Sequence, residues 1–219
     1  MFDSKIYQYK YRKFSGPSRR PDRKRPAWRK LLLALLLIAG AYWVATNCNI
    51  NPFRTVGEVV DSLDGVDVHY NGGVNHTSGR NLGKDGYNIG LRYQCVEFVK
   101  RYYHERFDHE MPDAYGHARD FFERDLPDGA RNERRALLQF VNGGSGKPEA
   151  GDIVVYAPWL LNRFGHVAIV SHADSHSVEI VQQNPGPFGK SRETYQLTES
   201  EGKWRIDHRR ILGWLRLPD

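Results

Sequence analysis

Hydrophobic and polar positions repeat in three different ways along this chain. Residues 31–46, LLLALLLIAGAYWVAT, carry no charge and no polar face. A core helix would keep a polar stripe, so this run predicts a membrane-crossing helix. It falls short of the ~20 residues of an ordinary span, but Ala27, Trp28 and snorkelling Arg29 and Lys30 extend it. Further on, Cys95, Val96, Val99, Tyr102, Tyr103 and Phe107 recur at helical spacing, with Glu97, Lys100, Arg101 and Glu105 between them. That pattern predicts an amphipathic helix starting near Gln94.

The second half changes to period two. Short β-branched or aromatic runs predict strands over 137–141, 153–156, 166–172, 177–182, 204–207 and 209–215, with an earlier strand at 66–70. Residues 55–62 are helix-compatible and 116–124 predict a second helix. Helices first and strands after give an α+β fold, a helical layer on an antiparallel sheet. The Gly- and Asn-rich stretch 69–88 is long for a mere connection and leaves the backbone free to approach a ligand closely.

The charge of +6 is unevenly placed. Residues 1–30 hold 11 of the 32 Lys and Arg and only Asp3 and Asp22 of the 26 acids, so 11 − 2 gives +9 there and 21 − 24 gives −3 for the remainder. A nucleic-acid binder would carry its basic excess in the folded part, so nucleic acid is not the expected partner. The positive-inside rule makes 1–30 a basic cytoplasmic tail, 31–47 a single-pass signal-anchor and 48–219 an extracytoplasmic domain. Ala39-Gly40-Ala41 also fits a signal-peptide cleavage site, and both readings deliver the domain to the same side.

Two cysteines, Cys48 and Cys95, form neither a disulfide framework nor a zinc quartet, and no metal or cofactor is expected. Cys95 falls in the first turn of its helix, where free N–H groups and the helix dipole should lower a thiol pKa and receive an oxyanion. A small buried hydrophobe suits that position equally well. His166 tips the balance, since it follows Gly165 at the start of the apolar strand 166–172. The remaining histidines lie among charges or flank turns. Thiol and imidazole each favour the charged form of the other. Gln182 and Asn184, on one face of the next strand if alternation holds, are both candidates to orient the imidazole. The Cys95 N–H is the natural oxyanion donor, and the Asn88 or Gln94 side chain could add a second.

Taken together, YQCVEFVKRYY, KPEAGDIVVY, FGHVAIV and VEIVQQN, in this order and spacing, resemble the CHAP family of papain-like cysteine amidohydrolases and peptidases. The likeness runs from about residue 66 to 217 and is strongest to the glutathionylspermidine amidase branch. It implies a papain-like fold, Cys95 as nucleophile and His166 as base, with no cofactor. That branch carries glutamate where Gln182 stands, and a neutral amide can orient an imidazole but cannot neutralise an imidazolium.

Fold alone does not fix substrate. An exported domain on a bacterial inner membrane faces peptidoglycan, so the expected reaction is cleavage of stem-peptide amides or of the sugar–peptide amide. The alternatives are a small glutathionylspermidine-type amide as substrate, or a catalytically impaired wall-binding module.

Overall fold

The structure, a computed structural model, describes residues 27–218. The tail expected over 1–30 therefore falls outside the described residues as far as 26. The chain divides into two compact units at Ala39/Gly40. Helix α1 (Ala27–Asn47) starts four residues before the expected span, taking in the Ala27–Lys30 extension. At 1.5 Å per residue its 21 residues reach ~31 Å, about the thickness of a bilayer hydrocarbon core. Its apolar side chains between Leu31 and Trp43 are exposed, and by length and composition the helix can cross a membrane.

After α1 come two hairpins. The first pairs β1 (Val59–Leu63) with β2 (Val66–His69), and the second pairs β3 (Arg80–Leu82) with β4 (Asn88–Leu91). Helix α2 (Cys95–Phe107) follows, and then a four-residue 3-10 turn, Ala118–Phe121. The remaining strands are β5 (Ala130–Asn132), β6 (Leu137–Val141), β7 (Ile153–Tyr156), β8 (His166–Ala173), β9 (Ser177–Val181), β10 (Arg192–Ser200), β11 (Lys203–Ile206) and β12 (Ile211–Arg216). They form one antiparallel sheet in the order β11-β10-β9-β8-β7-β12-β6-β5.

Alternation along the central strands divides the core between the two faces of this sheet. Ile153, Val155, Val167, Ile169 and Val181 pack with Phe98, Val99, Tyr102 and Tyr103 of α2. The intervening Val154, Tyr156, Ala168, Val170 and Ile180 face the other way, onto Leu197, Ile206 and Trp214. The sheet curls over this second cluster. The Gly143 N–H donates to the Trp204 carbonyl at 2.8 Å, and the Trp204 N–H donates to Gly144 at 2.8 Å, so edge strand β11 meets the turn after β6. Both faces being covered, β7 is buried at every position and shows no polar alternation.

Three expectations are corrected. The helix-compatible stretch 55–62 contains the start of β1, which pairs with β2 through a bulge. The helix expected over 116–124 is only the 3-10 turn, so among the described residues α2 is the one α-helix packed on the sheet. The polar side of α2 is not solvated either, because the β3–β4 hairpin lies over it. Gly90, at φ +147°, permits this: a Cβ there would sit 2.9 Å from the Glu97 Cα.

Glu97, Lys100 and Arg101 are consequently buried and fully engaged. The Glu97 carboxylate accepts from Arg101 Nε at 2.8 Å, Asn81 Nδ2 at 2.9 Å and Gln183 Nε2 at 2.8 Å. Lys100 donates to the carbonyls of Asn88 and Ala114 and lies over the Tyr87 ring. Burial lowers its pKa to about 8. Removing one member of such a cluster strands the other charge away from water. Glu97→Ala should therefore lose ~3–5 kcal/mol in urea unfolding, and a loss under ~1 kcal/mol would show that the hairpin does not seal this face.

Candidate active site

Cys95 is the first residue of α2, and Gln94 is its N-cap, with extended backbone. Tyr93, in left-handed conformation at φ 69°, turns the chain from β4 into the helix. The helix start is pressed against β8: Cys95 and Val167 share one buried cluster. Val167 adjoins His166, so Cys95 and His166 stand on two elements that pack together, the start of α2 and the start of β8, while the imidazole ring itself lies beside Tyr156 at 5.6 Å between centroids.

The histidine is held from behind. Gly165 has φ +77°, and a Cβ there would lie 2.8 Å from the Tyr156 carbonyl oxygen and 3.0 Å from the Arg119 nitrogen, so glycine is required at the entry to β8. The buried imidazole contacts Gln182, with Nε2 2.8 Å from Oε1. A carbonyl oxygen only accepts, so Nε2 carries the proton and Nδ1 is left with a lone pair for a thiol. Among the described residues the imidazole makes no hydrogen bond to the Cys95 sulfur, and such contacts are often long before substrate binds.

Burial controls the electrostatics. Cys95 is 7% exposed, and desolvation pushes its thiol up to about 11 against the favourable backbone N–H groups of Val167, Val96 and Cys95 itself. The expectation of a lowered thiol pKa is thus corrected, because the helix start is covered rather than open. Burial also lowers His166 to about 4, offset in part by the Gln182 hydrogen bond. At neutral pH both groups are uncharged in the ligand-free protein.

Other candidates are engaged elsewhere. Strand β9 stops at Val181 and Asn184 adopts φ 58°, so the alternation that would pair Gln182 with Asn184 ends between them. Asn184 does not orient the imidazole; its Nδ2 donates to Gln94 Oε1 at 2.8 Å and to the Val74 carbonyl at 3.1 Å. Gln94 in turn commits Nε2 to the Val74 and His76 carbonyls, at 3.1 and 2.6 Å, which leaves no proton for an oxyanion. The Asn88 Nδ2 donates to the Ala114 carbonyl at 2.7 Å while its Oδ1 accepts from Arg80. These three side chains brace the walls of the site.

Gln183 was not anticipated. Its Oε1 accepts from the His69 N–H at 2.7 Å and its Nε2 donates to the Gln94 carbonyl at 3.0 Å, tying the end of β9 to the helix N-cap. Only its place in the Gln182-Gln183-Asn184 run hinted at a role.

Cys95 opens into a cleft of about 550 Å³. Its lining includes Asn88, Gln94, Tyr115, His117 and Phe164, and also Arg80 and Arg163, with no Asp or Glu among the described lining residues. The pocket therefore presents a buried thiol at its floor and cationic side chains on its walls.

A helix-borne cysteine and a strand-borne histidine held by a side-chain amide, on an α+β frame, are the parts that a cysteine-dependent amide hydrolase uses. Residues 84–184 match the family model described as CHAP domain. It is 30% identical over 152 residues to a trypanothione synthetase of Crithidia fasciculata, covering 64% of this chain and 23% of that protein. It is likewise 30% identical over 138 residues to the bifunctional glutathionylspermidine synthetase/amidase of Escherichia coli (strain K12), covering 58% and 22%. The chain thus spans about a fifth of the length of the curated relatives it matches. Among solved structures, a wild-type endolysin is 19% identical, with a TM-score of 0.36 over 64% of this chain and 58% of that one.

The burial of His166 makes a direct prediction. Its imidazole, followed by NMR, should titrate near pH 4 rather than near the ordinary 6.5. The folded value is depressed, so the neutral imidazole's contribution to stability is full above 6.5 and drains as pH falls towards 4. A midpoint at or above 6.5 would mean that the imidazole is solvated or already paired with a thiolate.

Proposed function

We propose that this chain is a single-pass, membrane-anchored cysteine amidohydrolase or peptidase that cleaves amide bonds of peptidoglycan outside the bacterial inner membrane. In this reading residues 1–30 are the cytoplasmic tail, 31–47 the anchor and 48–219 the exported catalytic domain. The observation that carries the hydrolase reading is the hydrogen bond from His166 Nε2 to Gln182, which leaves Nδ1 as a base at the start of β8, the strand packed against the helix start that bears Cys95.

Cys95 is the nucleophile and His166 the general base. As the sulfur attacks the amide carbonyl, the thiol proton passes to Nδ1 and a C–S bond forms. The backbone N–H of Cys95 receives the oxyanion. Collapse breaks the C–N bond, the imidazolium returns its proton to the departing amine, and a thioester remains. Water, deprotonated by the same imidazole, then releases the acid. Starting from a neutral pair, the enzyme separates charge only when a carbonyl is in place to receive it.

Two features favour the wall as substrate. The exposed apolar helix α1 is long enough to anchor the domain at a membrane. A cleft lined by Arg80 and Arg163 without carboxylates suits peptides that carry free carboxylates, as stem peptides do. The second reading is a small glutathionylspermidine-type amide, favoured by the 30% identity to the synthetase/amidase. The third, a wall-binding module without activity, rests on Gln182 replacing a charged group.

Full-length protein in detergent should release fragments from purified sacculi, and mass analysis of the products names the bond. Cys95→Ala should lower that release by about a thousandfold or more. Intact sacculi together with amine release from glutathionylspermidine would establish the second reading, and equal digestion by wild type and Cys95→Ala would remove Cys95 from the mechanism.

A further inference from the structure

Behind the histidine the hydrogen bonds do not stop at Gln182. Its Nε2 donates twice, to the Lys190 carbonyl at 3.0 Å and to Glu193 Oε1 at 3.0 Å. Glu193 lies on β10, half-buried, and the two strands bring it alongside the end of β9 by pairing it with Ile180. Its other oxygen accepts from the Tyr195 hydroxyl, and that hydroxyl lies 3.5 Å from the hydroxyl of Tyr156. The Tyr156 ring is tilted against the His166 ring at 5.6 Å between centroids. A closed circuit therefore runs from the imidazole through Gln182, Glu193, Tyr195 and Tyr156 back to the imidazole.

Resting on the cysteine-hydrolase reading above, we propose that Glu193 is a positioning residue: through Gln182 it fixes the imidazole tautomer and supplies the negative charge that the glutamine lacks. The orientation argument follows from donors and acceptors. An amide bonded to His166 could present either its oxygen or its nitrogen, and the two choices demand opposite tautomers. Turning the amide over would place its oxygen against the Lys190 carbonyl and the Glu193 carboxylate, two acceptors with no proton to offer. The amide nitrogen is thus pinned outward and the oxygen inward, so Nε2 must hold the proton and Nδ1 must be the base.

The electrostatic argument concerns the imidazolium that forms during attack. Gln182 meets it with only a dipole, but a carboxylate bonded to the far side of that amide polarises it in the stabilising direction. The groups that bear on the imidazole from the surrounding elements are Glu193 and Tyr195 of β10, Tyr156 of β7 and Arg210 just before β12. Of these Glu193 favours the charged imidazole and Arg210 opposes it.

Glu193→Gln keeps the size and an acceptor oxygen but removes the charge, and Glu193→Ala removes both. On the full-length protein, each should shift the His166 NMR titration downward by about half a unit or more. Each should also lower kcat for the substrate cleaved by wild type about tenfold while KM stays put. Placing the charge directly on the histidine partner, in Gln182→Glu with Glu193→Gln, should restore the titration and most of kcat. The NMR arm needs no substrate, so it reads Glu193 even if the protein cuts neither sacculi nor glutathionylspermidine, whereas loss of the hydrolase reading would show in the Cys95→Ala comparison. Folded single variants with unchanged His166 titration and unchanged kcat would overturn the assignment.

Discussion

The start of α2 pressed against the start of β8 is the contact on which the site depends. A helix end leaves backbone N–H groups without partners, and covering such an end is costly unless something satisfies them. Here the covering is done by the central strand β8, whose Val167 shares a buried cluster with Cys95 and follows directly on His166. The residues proposed as nucleophile, base and oxyanion donor are thus borne by two elements that pack on each other. Its cost is visible in the two titrating groups: desolvation raises the thiol to about 11 and lowers the imidazole to about 4.

Burial on that scale is tolerated because most of the polar groups around it are paired, Asn184 Oδ1 being an exception. Glu97 ties α2 to Arg101, Asn81 and Gln183, and Gln183 ties the helix cap to the end of β9. Gln94 and Asn184 close the same wall through each other and the Val74 carbonyl. These bonds hold the helix in rotation and height, so a sulfur at its first residue stays where a neighbouring strand can serve it. The loop that supplies several of the carbonyls is the Gly- and Asn-rich stretch, whose length is explained by its work as a lid over the helix.

Much of this was legible from the residues. Period-two runs located six of the sheet strands, and the helical spacing placed Cys95 in the first turn of a helix starting near Gln94. Glycine before an apolar strand marked His166 as different from the other histidines, and its φ of +77° is the reason. Local pattern failed wherever a long-range contact decided the outcome. Glu97, Lys100 and Arg101 read as a solvated face because charge is usually exposed, and only the β3–β4 hairpin folding back makes them internal. Asn184 read as a strand residue beside Gln182, but the left-handed turn there follows from its bonds to Gln94 and Val74. Strand β10 was hidden because most of its positions are charged or polar, with Leu197 its one buried residue.

The account rests on a buried, uncharged thiol that loses its proton to one imidazole. The rate at which iodoacetamide alkylates Cys95 near neutral pH, in wild type and in His166→Ala, tests this most directly. Sulfur deprotonated by His166 should react at least about tenfold more slowly once the imidazole is gone. Equal rates in the two proteins would show that Cys95 ionises without the histidine, and the proposed pair would then not exist.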